Sequence, residues 1–149
     1  VLEKAPSFWV LRDNALHYAD DRGEIIAPMD ARGFAYLPEL VIEPGAELAA
    51  NALPHLVRSL KSSRLPLDLH SLSKVRLSAA RGVEIEVEGS DLRLSIGLED
   101  WLANMQRLGL TLTDLSRRGE LGDVREIKAQ GANVWVERHS PAPSVLAGG

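Results

Sequence analysis

Residues 72–97 read LSKVRLSAARGVEIEVEGSDLRLSIG. Val75 and Leu77 alternate with Lys74, Arg76 and Ser78. After the turn Ala80-Arg81-Gly82, Val83, Ile85 and Val87 alternate with Glu84 and Glu86. After Glu88-Gly89-Ser90-Asp91, Leu92, Leu94 and Ile96 alternate with Arg93 and Ser95. Successive side chains of a strand point to opposite faces, so a period of two makes one apolar and one charged face. The stretch predicts a three-stranded antiparallel meander. The basic residues of its outer strands can face the acidic pair on the strand between them, and such cross-strand pairs stabilise modestly. The charges read as a solvated sheet face.

The period changes to that of a helix on both sides of the meander. Downstream, Leu98, Trp101, Leu102, Met105, Leu108, Leu112 and Leu115 follow helical spacing. Glu99 and Asp100 stand at the favoured acidic start, and Arg117-Arg118 with Gly119 stand at the end. Gly109 and Thr111 weaken the middle, so an early stop is expected. Trp101 reads as a core anchor. Upstream, Leu53, Leu56, Val57 and Leu60 recur on one helical face. Asn51 is the expected N-cap, Pro54 falls in the first turn where its missing N–H is harmless, and Pro66 ends the segment.

Further out, Phe8–Leu11, Ala15–Ala19 and Glu24–Ala27 are strand-like runs. The last two flank Asp20-Asp21-Arg22-Gly23 and read as a hairpin. The Asp pair suits turn chemistry better than a metal site. Pro28, Pro38 and Pro44 mark residues 28–45 as an irregular connection. Val124–Ala129 and Asn133–Arg138, joined at Gln130-Gly131-Ala132, read as a closing hairpin. Ser140–Gly149 holds two Pro and two Gly and reads as a disordered tail. The expected class is α+β: an antiparallel-rich mixed sheet with two helices packed on one face, and Val83, Ile85, Val87, Leu94, Ile96, Trp101, Met105, Leu56 and Leu60 in one core.

Composition narrows the function. The chain has 149 residues, 45% hydrophobic and 26% charged, which is ordinary for a folded domain. Its net charge of -4 argues against a grip on nucleic-acid phosphates. The absence of cysteine removes disulfides, thiolate metal sites and cysteine nucleophiles. No run approaches the ~18 apolar residues of a membrane span. His17, His55, His70 and His139 fall in separate segments without ligand spacing, and no nucleotide or hydrolase motif is present. Neither a metal nor a cofactor is expected.

The order of parts carries a resemblance. Glu3-Lys4-Ala5-Pro6 leads into Phe8-Trp9-Val10, then Tyr18-Ala19-Asp20-Asp21-Arg22-Gly23 and Leu37-Pro38-Glu39-Leu40. Gly82-Val83-Glu84-Ile85-Glu86-Val87, Leu94-Ser95-Ile96-Gly97 and the Val124–Trp135 hairpin follow. In this order the motifs resemble the C-terminal β domain of the bacterial cell-division family FtsQ/DivIB, over nearly the whole chain up to Arg138. The departure is Ile127-Lys128-Ala129-Gln130, where the family often has an Ile-Asp-Leu-Arg-like strand.

The resemblance implies a non-enzymatic divisome scaffold binding the membrane-anchored partners FtsB/DivIC and FtsL. It implies an extracytoplasmic (periplasmic) location at the inner membrane and the division septum, on a single-pass anchor upstream of this chain. Residues 1–11 would be the end of a POTRA domain or a leading strand, residues 12–139 the β domain and residues 140–149 the tail. The last strand is expected to receive a partner strand through Asn133, Val134, Trp135, Val136 and Glu137. Val134 and Val136 should face the core, and Trp135 the other way. Arg81 is the nearest match to a family turn cation that pairs with an acidic partner residue. The alternatives are a POTRA-like transport-associated binding module and a hydrolase using Asp20, Asp21, Glu99 and Asp100.

Overall fold

Alternation, turn residues and two apolar helical stripes are enough to build most of the sheet. The computed structural model describes residues 6–29, 37–62 and 67–139. The predicted tail, residues 1–5, and the proposed helix-ending Pro66 lie outside the described residues.

The strands are β1 (Phe8–Arg12), β2 (Ala15–Ala19), β3 (Ile25–Pro28), β4 (Glu39–Ile42), β5 (Leu72–Ser78), β6 (Gly82–Val87), β7 (Arg93–Ile96), β8 (Val124–Gln130) and β9 (Asn133–Arg138). Helix α1 spans Leu53–Lys61 and α2 spans Trp101–Arg117. The nine strands among the described residues join one sheet in the order β3-β2-β1-β4-β5-β6-β7-β8-β9. Hairpin neighbours are antiparallel, whereas β1–β4, β4–β5 and β7–β8 are parallel. The class is α+β with a mixed, mostly antiparallel sheet, as the alternation required.

The apolar faces meet in one core. Phe8, Val75, Leu77, Val83, Ile85, Leu94, Ile96, Ile127 and Ala129 from the sheet join Leu53, Leu56, Val57 and Leu60 of α1 and Met105, Leu108, Leu112 and Leu115 of α2. Ile85 and Ile96 are fully buried. Val87 and Trp101 are partly buried and pack against this core. The other sheet face carries rows such as Glu39, Lys74, Glu86, Arg93, Glu126 and Glu137, which are register partners across five adjacent pairings.

Three readings need correction. Residues 39–42 are not irregular: they form β4, which sits between β1 and β5. The bracketing prolines hid it, yet Pro38 lies just before the strand, where it disrupts no ladder bond, and its carbonyl accepts from Trp9 N–H at 3.1 Å. Asn51 is not the cap of α1. It lies in a 3-10 turn, Glu47–Ala52, that runs into the helix at Leu53, with Pro54 in the first turn as read. Helix α2 does not stop early. Gly109 is buried within it, and the Thr111 and Thr113 hydroxyls donate back to the Arg107 and Gly109 carbonyls at 3.0 and 2.8 Å. Packing outweighs propensity there. Asp100 stands at the helix start as read; it is left-handed, with φ 56°, and the helix begins at Trp101 without a side-chain cap bond.

The segment Phe8–Arg12 is integral to the sheet. Phe8 is fully buried opposite Ala19, and Ser7 N–H donates to the Ala19 carbonyl at 2.9 Å. The position between residues 11 and 12 therefore falls inside β1.

Candidate strand-receiving edge

Gly131 and Ala132 both have positive φ, 56° and 69°. A two-residue hairpin loop with both residues left-handed is the primed turn that matches strand twist. It makes Gln130 and Asn133, which are register partners, a hydrogen-bonded pair. Bonding alternates along an antiparallel ladder. Trp135 and Glu137 therefore also turn their N–H and C=O groups towards β8, opposite Lys128 and Glu126. Val134 and Val136 turn theirs outwards.

Among the described residues the outward side has no strand neighbour, because β9 ends the strand order. Unpaired main-chain groups at such an edge are a template for another strand. The side chains alternate between the two faces, but of the two valines expected in the core only Val134 packs on it, and Val136 is exposed. Val134 and Val136 lie opposite Ala129 and Ile127, both in the core, and Val134 packs against it. Trp135 lies on the helix-free face opposite Lys128 and is 54% exposed. Asn133 and Glu137 share that face. Glu137 is ion-paired with Arg125 of β8, and Arg138 pairs with Glu120 at 2.8 Å. The strand is thus held by its own hairpin and by exposed ion pairs.

Arg81 is not at this edge. It lies in the β5–β6 turn, at the same end of the sheet as the β8–β9 turn, but three strand spacings from β9, roughly 14 Å. Its side chain is 70% exposed and reaches Glu84 at 3.6 Å. The two belong to an open polar cleft of about 530 Å³ on the helix-free face, where Arg76 also meets Glu43 at 3.1 Å. The cations there are largely matched by carboxylates.

The four carboxylates of the hydrolase reading are not brought together. Asp20 is buried in the β2–β3 turn, where its Oδ1 accepts from the N–H groups of Arg22 and Glu24, both at 2.9 Å. That is the turn chemistry read from the sequence. Asp21 is exposed beside it. Glu99 and Asp100 are exposed beyond β7, five strand positions from β2. An apolar groove of about 470 Å³ on α2, with exposed Leu102 and Leu110, has no titratable lining residue. Among the described residues no group of three His, Asp or Glu is placed to hold a metal ion, and no helix is long and apolar enough to cross a membrane.

One organising residue escaped the sequence reading. Asn104 is fully buried on α2, and its Nδ2 donates to the carbonyls of Glu99 at 2.7 Å and Gly97 at 3.2 Å. Its Oδ1 accepts from Arg107 at 3.1 Å. It thereby fixes the passage from β7 into α2 and so the place of α2 under β8. An Asn inside an apolar helical stripe was the available signal.

No protein-family model matches the chain, and no curated protein matches it.

Proposed function

We propose that the chain is a non-enzymatic scaffold of the bacterial divisome, acting at the extracytoplasmic face of the inner membrane. It receives a strand from a membrane-anchored division partner of the FtsB/DivIC or FtsL type along β9. The observation that carries this reading is the open edge at β9, with outward main-chain groups at Val134 and Val136 and an exposed Trp135 beside them. The ordered likeness to the FtsQ/DivIB β domain supplies the kind of partner.

In strand addition the main-chain bonds give affinity and alternate side chains give specificity. A partner strand would place every second side chain next to Trp135 on the helix-free face. The others would lie beside Val134 and Val136. Arg81, at a distance from the strand, acts as a rim cation. It should accelerate encounter with an acidic segment and should have little effect on dissociation.

The test is a titration of the full chain with the partner's extracytoplasmic segment. Trp135→Ala should weaken binding by about 2 kcal/mol, roughly 30-fold, with the melting curve unchanged. Arg81→Ala should slow association and flatten its salt dependence. If the two substitutions together leave affinity unchanged, strand addition at β9 is wrong.

A further inference from the structure

We propose that β9 also pairs with β9 of a second copy of this chain, antiparallel about a two-fold axis through Trp135. Self-pairing would close the edge when no partner strand is present. The inference rests on reading β9 as a strand-receiving edge.

The register follows from the strand's own pattern. Outward main-chain groups must meet outward groups, and side chains opposite each other must share a face. Both conditions hold when the axis passes through Trp135. Val134 then lies opposite Val136 of the second copy, and Val136 opposite its Val134. Each pair exchanges two N–H···O=C bonds. The two Trp135 side chains meet as the non-hydrogen-bonded pair, with Cα atoms about 4.5 Å apart, on the helix-free face where each is now 54% exposed. Asn133 lies opposite Glu137, so an amide can donate to a carboxylate. Arg125 already pairs with Glu137 and offsets its charge.

The neighbouring allowed register, centred on Val136, sets Val134 against Arg138 and Trp135 against Glu137. It keeps only Val136 against its own counterpart and loses the Trp135 match and both Val134 matches. The opposite sheet edge is a poorer mate. Strand β3 has four residues and closes on Pro28, which has no N–H to give. A β9–β3 contact would also be head-to-tail, and such contacts build rings or open filaments and not a two-fold pair. An interface that lays β9 on itself closes at two copies.

Self-pairing and partner binding use the same outward groups of Val134 and Val136, so they exclude one another. The partner must displace a copy of the chain to bind. A partner present at low concentration would therefore meet a covered edge.

The chain's lack of cysteine gives a clean test. Trp135→Cys in the full chain places a single thiol next to its own counterpart, within reach of a disulfide. Val134→Cys places it opposite Val136 and away from its counterpart. Mild oxidation should cross-link the first and not the second. In sedimentation velocity the unmodified chain should shift from monomer to dimer as concentration rises. Val136→Pro, which removes an outward donor, should abolish that shift. Trp135→Glu should abolish it too, by setting two carboxylates together, and it serves if the proline variant does not fold. Adding the partner segment should return the dimer to monomeric chains with segment bound.

A monomer at every concentration overturns the proposal, as does a dimer that survives both substitutions, or growth into larger assemblies. A monomer that still binds the segment leaves the scaffold reading standing. A dimer disrupted by both substitutions that ignores the segment upholds self-pairing and removes the scaffold reading.

Discussion

Gly82 opens β6 with φ +79°, a conformation that L side chains rarely adopt. A Cβ there would lie 2.2 Å from the Ile96 carbonyl oxygen, on the neighbouring strand β7. Backbone strain alone costs about 1–2 kcal/mol, and the collision with a fixed carbonyl adds to it. Gly82→Ala should therefore lower the urea midpoint by more than the strain figure implies, and should disturb the β6–β7 ladder in amide exchange. Asn104 makes the complementary case. Asn104→Ala strips two carbonyls of a donor in a buried place and should cost about 1–3 kcal/mol, measured by chemical denaturation. Ala132 runs the other way. It holds φ 69° without being glycine, so Ala132→Gly should stabilise the hairpin by about 1 kcal/mol. The sequence shows Gly82 as a turn residue. It does not show the carbonyl that forbids any other residue, because that atom arrives from a strand with its own turn between.

Secondary structure was legible where the period ran long enough. The meander β5–β7 follows from alternation sustained over three runs, and α2 from a stripe that continues past Gly109. Strand β4 was hidden for the opposite reason. Four residues between two prolines give too few repeats to establish a period, and parallel pairing on both sides sets no local turn signal. For β9 the facing of Val134 and Trp135 was readable from the period of two. The direction of the main-chain groups needed the turn dihedrals at Gly131 and Ala132. That direction makes a sharp prediction. In the monomeric chain the amides of Val134 and Val136 should exchange quickly, while those of Asn133, Trp135 and Glu137, bonded to β8, are protected. Partner binding or self-pairing should slow the first set. Uniform protection along β9 in the monomer would show that the assigned ladder phase is wrong.

Across the whole molecule, the sheet joins hairpins that sequence can recognise through parallel contacts that it cannot. Nothing near Trp9 specifies Glu39 as its register partner, nor does Arg93 announce Glu126. Those pairings follow from how α1 and α2 bury their stripes against the same sheet face. The candidate edge was legible in outline, because the last strand ran into a tail-like composition. The displacement of Arg81 from that edge was not, since it depends on strand order. One core serves all of it, so Ile85→Ala, in the middle of the sheet, should cost about 2–5 kcal/mol in global denaturation while leaving the affinity of the remaining folded molecules for the partner segment unchanged.

The position of β4 has a consequence during synthesis. During synthesis β1, β2 and β3 emerge before β4, and these can form their own meander. The inner side of β1 then stays bare until residues 39–42 appear, and β4 in turn has no inner neighbour until residues 72–78 follow. At about 5–20 residues per second the wait is on the order of seconds. Throughout that interval the nascent chain presents an unpaired strand that the finished sheet conceals, and it is then that a chaperone or a neighbouring nascent chain could engage it.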